Sequence, residues 1–173
     1  GGVSTSHDRA ATWQYFPNLV LAQAYHVAFD MRTPFYHVCA GLQDNNTWCG
    51  PSGTRTNSGI ANDDWYVVNG GDGFQPLMDP SDPNVVYAES QDGRMNRIDR
   101  TTNQRTAVRP EPLEAKEGEP SQLRYNWDTA MQLSPHDPST IFIGAQMLMK
   151  SSDRGRSYAP ISGDLSTNTS RET

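Results

Sequence analysis

Residues 151–158 read "SSDRGRSY" and residues 6–13 read "SHDRAATW". Both follow Ser-x-Asp-x-(Gly/Ala)-x-(Ser/Thr)-aromatic, in register at every stated position and 145 residues apart. The residue types describe a tight corner. Asp accepts backbone N–H bonds, the fifth residue needs a positive φ that glycine adopts freely, and the aromatic packs between layers. One corner made twice in a chain calls for a search for repeats before any other reading.

The repeats are found between the corners. "DPSDPNVVYAESQ" (79–91) matches "SPHDPSTIFIGAQ" (134–146): Pro second, Asp-Pro at the fourth and fifth places, an apolar run and a closing Gln. A looser copy, "DMRTPFYHVCAGLQ" (30–43), carries one extra residue. The glutamines at 43, 91 and 146 give periods of 48 and 55. Each unit divides into four short strands. A first strand ("YHVAFD", "FQPLMD", "DTAMQLS") precedes a Pro- and Asp-rich turn, in which His136 is a turn residue rather than a base. The second strand ("FYHVCAG", "NVVYAES", "TIFIGA") is nearly continuous in apolar residues, as expected when both sheet faces are covered. Third ("TWCG", "MNRID", "LMKSS") and fourth ("DWYVVN", "RTAVRP", "SYAPIS") strands complete the unit, and the corner falls between them. No sustained helical period is present, although "PLEAKEGEP" suits a helical turn in a charged loop.

Four short strands per unit of about 50 residues describe a β-propeller blade. The expected fold is all-β, a propeller segment of about three and a half four-stranded blades. Residues 1–19 form the C-terminal half of a blade; 20–72, 73–125 and 126–163 are blades; 164–173 is a polar tail or linker. Such a segment does not close a ring. It is therefore expected to belong to a larger propeller, or to be completed by a partner, with the compact half-propeller as the alternative.

Composition narrows the partners. The 173 residues carry a net charge of -6, with 14 Gly and 12 Pro. Mean hydropathy is -0.73 and the pI is near 5.1. An acidic chain without Lys/Arg runs argues against nucleic acid and acidic membrane surfaces. No 18-residue apolar run predicts a membrane helix. Cys39 and Cys49 bracket a hairpin-like connection, so a cross-strand disulfide and two buried thiols are both open readings. His7, His26, His37 and His136 have no ligand spacing and neither cysteine sits in a CxxC pair, so no metal and no cofactor is expected.

Ser-x-Asp-x-Gly-x-Thr-Trp resembles the Asp-box, and the chain is similar to BNR/Asp-box propellers. "GLQDNNTWCGPS", "NGGDGFQPLMDPSDPNVVYAESQDG" and "SPHDPSTIFIGAQMLMKSSDRGRSY" resemble, as a set, bacterial exported proteins described as sortilin-like or as glycosyl hydrolases with BNR repeats. The resemblance implies an Asp-box role for Ser6, Asp8, Thr12, Trp13, Ser151, Asp153, Gly155 and Tyr158. Ala10 in the Gly position predicts strain in the first corner. Tyr158 in the Trp position predicts a reduced aromatic contact in the second. The resemblance also implies an extracytoplasmic location, which a Cys39–Cys49 bridge would suit.

In a propeller the loops before the first strand and between the second and third meet on one face. That rule collects Tyr25, His26, Gln43, Asp44, Asn45, Asp72, Gln91, Asp92, Asn126, Trp127 and Gln146, a set of amides, carboxylates and aromatics suited to sugars or peptide backbone. The recurring glutamines read more simply as loop pins. Glycoside hydrolysis needs two carboxylates across a scissile bond. Asp44 and Asp72 are candidates by position, but no spacing singles out a pair. Arg94, Arg97, Arg109 and Arg124 do not form the arginine cluster of a sialidase. The expected function is a noncatalytic extracytoplasmic propeller segment mediating protein–protein interaction or assembly within a larger complex. The alternative is a glycoside hydrolase or carbohydrate-binding propeller.

Overall fold

The computed structural model describes residues 3–16, 22–110 and 123–169. The helical turn expected within 112–120 lies outside them. The described residues form three four-stranded antiparallel sheets and one two-stranded hairpin, consistent with propeller blades. β1 (Ser4–Thr5) and β2 (Gln14–Tyr15) make the hairpin. The first sheet holds β3 (Ala24–Phe29), β4 (His37–Leu42), β5 (Thr47–Pro51) and β6 (Tyr66–Asn69) in chain order, with a 3-10 turn at Asn62–Asp64 before β6. The second holds β7 (Leu77–Met78), β8 (Val85–Ser90), β9 (Arg94–Asp99) and β10 (Gln104–Ala107). The third holds β11 (Met131–Leu133), β12 (Ile141–Gly144), β13 (Leu148–Ser151) and β14 (Ala159–Pro160).

β8 shows why its sequence is continuously apolar. It is buried along its whole length. Val85 and Tyr87 join the core facing the third sheet, while Val86 and Ala88 join the core facing the first. A strand covered on both faces cannot alternate with polar residues without burying them. β7 is shorter than the expected "FQPLMD" strand because Pro76 offers no N–H to a ladder.

The two corners fold alike. In the first, the Ser6 hydroxyl donates to Asp8 Oδ1 at 2.8 Å and accepts from the Ala10 N–H at 2.8 Å. Asp8 then accepts from the Thr12 N–H at 2.9 Å and the Thr12 hydroxyl at 2.6 Å. In the second, Ser151 donates to Asp153 at 2.7 Å and accepts from the Gly155 N–H at 2.9 Å. Asp153 accepts from the Ser157 N–H at 2.9 Å and hydroxyl at 2.6 Å. Ala10 has φ 71° where Gly155 has φ 85°, so the first corner does hold an alanine in the left-handed region. The aromatic contacts reverse the expectation. Tyr158 reaches the second sheet and donates to the Val108 carbonyl at 2.8 Å. Trp13 is 65 % exposed. The second sheet makes the same connection with Asp99, which accepts from the Thr101 N–H at 2.8 Å and the Thr102 N–H at 3.3 Å, and with the Thr102 hydroxyl, which accepts from the Gln104 N–H at 3.3 Å.

Polar side chains tie the sheets at the other ends of the strands. Arg154, in the second corner, pairs with the buried Asp79 and donates to Ser81 Oγ at 3.0 Å. Arg100 stacks on the Tyr66 ring at 4.2 Å and lies 3.2 Å from His37 Nδ1. Burial, with Arg100 and Arg32 nearby, pushes the His37 pKa down. Cys39 and Cys49 face each other across β4 and β5 and form a disulfide, which settles the open reading. A disulfide belongs to an oxidising compartment. Among the described residues no helix is long and apolar enough to cross a membrane.

The expected polar tail is anchored at its start. Arg124 donates to Asp164 at 3.0 Å and Ser166 at 2.7 Å, and the Leu165 N–H donates to the Gln146 carbonyl.

Candidate functional site

Register shows that Phe29, Met78 and Leu133 are equivalent, facing Val38, Val86 and Ile141 in turn. Counting from these positions makes Gly41, Glu89 and Gly144 equivalent in the second strands. At this level of the first and second sheets, the loop leading into the next sheet comes in close. Phe74 and Gly73 lie against Gly41 so closely that a Cβ there would collide with their backbone. Gly41 has no side chain for this reason.

The face collected from the sequence is stitched by these loops. The carboxylate of Asp72 is buried and accepts from the Asp44 N–H at 2.6 Å, with Asp44 at φ 59°. The Asn46 N–H donates to the Gly71 carbonyl at 2.9 Å, and Asn46 Oδ1 accepts from the Gly71 N–H at 3.2 Å. One sheet further on, the Asp92 N–H donates to the Trp127 carbonyl at 3.2 Å, with Asp92 at φ 61°. Gln146 Oε1 accepts from the Arg124 N–H at 2.6 Å. The Gln91 side chain lies against Gly71. Gln43 uses its main chain, donating to the Gln23 carbonyl at 2.9 Å and accepting from Asn45 Nδ2 at 3.0 Å. The Asn45 carbonyl takes the Trp48 indole N–H at 2.7 Å, and the Asn126 carbonyl takes the Thr129 hydroxyl at 2.7 Å. Asp44 and Asp72 thus meet through a backbone N–H rather than as two carboxyl groups.

A second group of residues comes together beside this stitching. The Tyr25 and Phe74 rings lie 5.1 Å apart, and Trp127 meets Phe74 edge-on at 6.4 Å. Phe74 is buried, while Trp127 is 53 % exposed. His26 Nε2 lies 3.8 Å from Asp128 Oδ2. Behind them is Glu89, 0 % exposed, whose Oε1 accepts from the Thr129 N–H at 2.9 Å. Burial, opposed in part by that bond and reinforced by Asp128, pushes its pKa up to about 8. Glu89 is therefore far harder to ionise than an exposed carboxyl.

Phe74 and Glu89 were missed in the sequence reading. For Glu89 a signal exists: "VVYAES" is the second strand with an acid where its sister strands carry glycine. The arrangement offers an exposed indole, an imidazole and a carboxylate on one rim, with a buried carboxyl beneath. Among the described residues no three His, Cys, Asp or Glu side chains form a group able to hold a metal ion. A scan against protein-family models returns no match for the chain, and a search of curated proteins returns none. Fold and loops together define an all-β protein of consecutive, laced four-stranded antiparallel sheets.

Proposed function

We propose that the chain is a noncatalytic propeller segment of the BNR/Asp-box kind, acting outside the cytoplasm by assembling with further blades or with a protein partner. One observation carries the reading. Phe29 is 64 % exposed, whereas its equivalents Met78 and Leu133 are 9 % and 7 % exposed beneath the preceding sheet. Val27, on the same face two residues earlier, is also exposed, while its equivalent Met131 is buried. Large apolar side chains kept on a face that is covered in each sister sheet are interface residues awaiting a neighbour. The partner that fits is another four-stranded sheet of the same kind, since that is what covers Met78 and Leu133. The Cys39–Cys49 bridge supports an extracytoplasmic setting.

A photo-crosslinking residue at position 29 tests this in the native polypeptide. It is expected to capture a β-strand segment, with Val27→Lys on the same face abolishing capture and assembly. A monomeric, soluble product with position 29 uncrosslinked overturns the proposal. The carbohydrate reading rests on the exposed indole of Trp127 beside His26 and Asp128. Glycan-array binding that is lost in Trp127→Ala would favour it over assembly.

A further inference from the structure

Glu89 is an acid at a position where both sister sheets carry glycine. Its equivalents are Gly41 and Gly144, and its neighbours along the same strand face, Val85 and Tyr87, belong to an apolar core. The residue facing it on β9 is Met95, also buried. A lone carboxylate there would lose its hydration without gaining a cation. No Lys or Arg pairs with it among the described residues. The titratable groups around it come from two elements: Asp128, in the loop before β11, and His26 of β3 on the far side of Asp128.

Oε1 accepts from the Thr129 N–H, in the loop of the third sheet. Oε2 is buried and receives no hydrogen bond. One N–H bond does not replace the hydration of a carboxylate, and the Asp128 charge nearby opposes ionisation further. A proton on Glu89 removes the uncompensated buried charge and leaves the bond to Thr129 in place.

We propose that protonated Glu89, bonded to Thr129, is a clasp between the second and third sheets, and that loss of its proton releases the 126–129 loop with Trp127. The clasp closes with the proton in place. Opening exposes Glu89 to water, where a carboxyl of ordinary pKa gives its proton up. Opening therefore releases one proton through the mildly acidic and neutral range, so it becomes easier as pH rises and levels off near pH 8, where closed Glu89 also ionises. The presentation of Trp127, Asp128 and His26 on the exposed rim follows that proton. This inference is independent of what covers Phe29.

Hydrogen exchange at the Thr129 amide, in the full chain, tests the clasp. After correction for intrinsic exchange, protection is expected to fall about tenfold per pH unit between roughly pH 5 and 8. In Glu89→Gln, which keeps an acceptor for Thr129 but does not titrate, the profile is expected to be flat. A fluorine label on Trp127 is expected to follow the same pH dependence. Asp128→Asn, which removes the adjacent negative charge, is expected to move the levelling point to lower pH, and it keeps the test alive if Glu89→Gln does not fold. A flat wild-type profile, an unchanged slope in Glu89→Gln, or an unmoved levelling point in Asp128→Asn would each overturn the clasp.

Discussion

The corners at 6–13 and 151–158 have the same hydrogen bonds and opposite surroundings. In each, a serine hydroxyl and an aspartate close the turn with matching partners at matching offsets. Among the described residues only the second rests on a neighbouring sheet, through Gly155 and Tyr158 against Val108. The first presents Trp13 to solvent. The turn is thus a local device that needs nothing beyond eight residues, while the aromatic that ends it depends on a sheet about fifty residues away. The same division separates Phe29 from Leu133: equal positions in their sheets, unequal cover.

The largest effect should come from cover. In the chain by itself, Leu133→Ala is expected to lower stability by about 2–4 kcal/mol, from lost burial and a cavity. Phe29→Ala should change it by less than about 1 kcal/mol. Urea unfolding of both variants checks this, and equal losses would erase the contrast between the first and third sheets. Next come the left-handed positions. A Cβ at Gly155 would lie 2.8 Å from Val108 Cβ, so Gly155→Ala combines overpacking with a left-handed alanine. It should cost about 2–3 kcal/mol. Ala10→Gly should instead stabilise by up to about 1 kcal/mol, because nothing but the backbone geometry of Ala10 at φ 71° opposes it. Thermal melts with opposite signs are the expected result.

Smaller again is the aromatic pair. Tyr158→Phe removes the donor to the Val108 carbonyl and should cost about 1 kcal/mol. Trp13→Phe should lie within about 0.5 kcal/mol of wild type. The smallest effect concerns acid. Hydrogen bonds from Thr12 and Ser6 lower the Asp8 pKa to about 2, and those from Ser157 and Ser151 hold Asp153 well below the ordinary carboxylate range. A depressed carboxyl contributes stability above its unfolded pKa and loses it as pH falls through the folded one. Both corners should therefore hold at pH 5; the first should loosen between about pH 4 and 2, and the second should persist to lower pH. Side-chain NMR titration would follow each; an ordinary midpoint for Asp8 would break the likeness of the two turns.

What could be read from the sequence followed the range of the interactions. The corners were legible because Ser, Asp and Gly act on their own backbone within four residues. The blades were legible because turn residues and apolar runs recur with a fixed spacing. Pro76 carried a plain signal against a long β7. The fate of the two aromatics was not legible, since Tyr158 and Trp13 differ by what stands beside them rather than by their own chemistry. Glu89 was the hardest of all: its meaning depends on Thr129 and Asp128, about forty residues downstream and in another sheet. Asp72 was found as a candidate acid, and the structure instead gives its carboxylate the Asp44 N–H.

The lacing of each sheet to the loop that follows it sets an order in time. The Asp44 N–H finds its acceptor only at Asp72, and Glu89 only closes on Thr129. In a nascent chain the loop at 43–46 and the carboxyl of Glu89 keep water as their partner until the first residues of the following sheet emerge. The first two sheets are therefore expected to close one sheet in arrears, and a pause in translation just before residue 70 or residue 126 would prolong that wait.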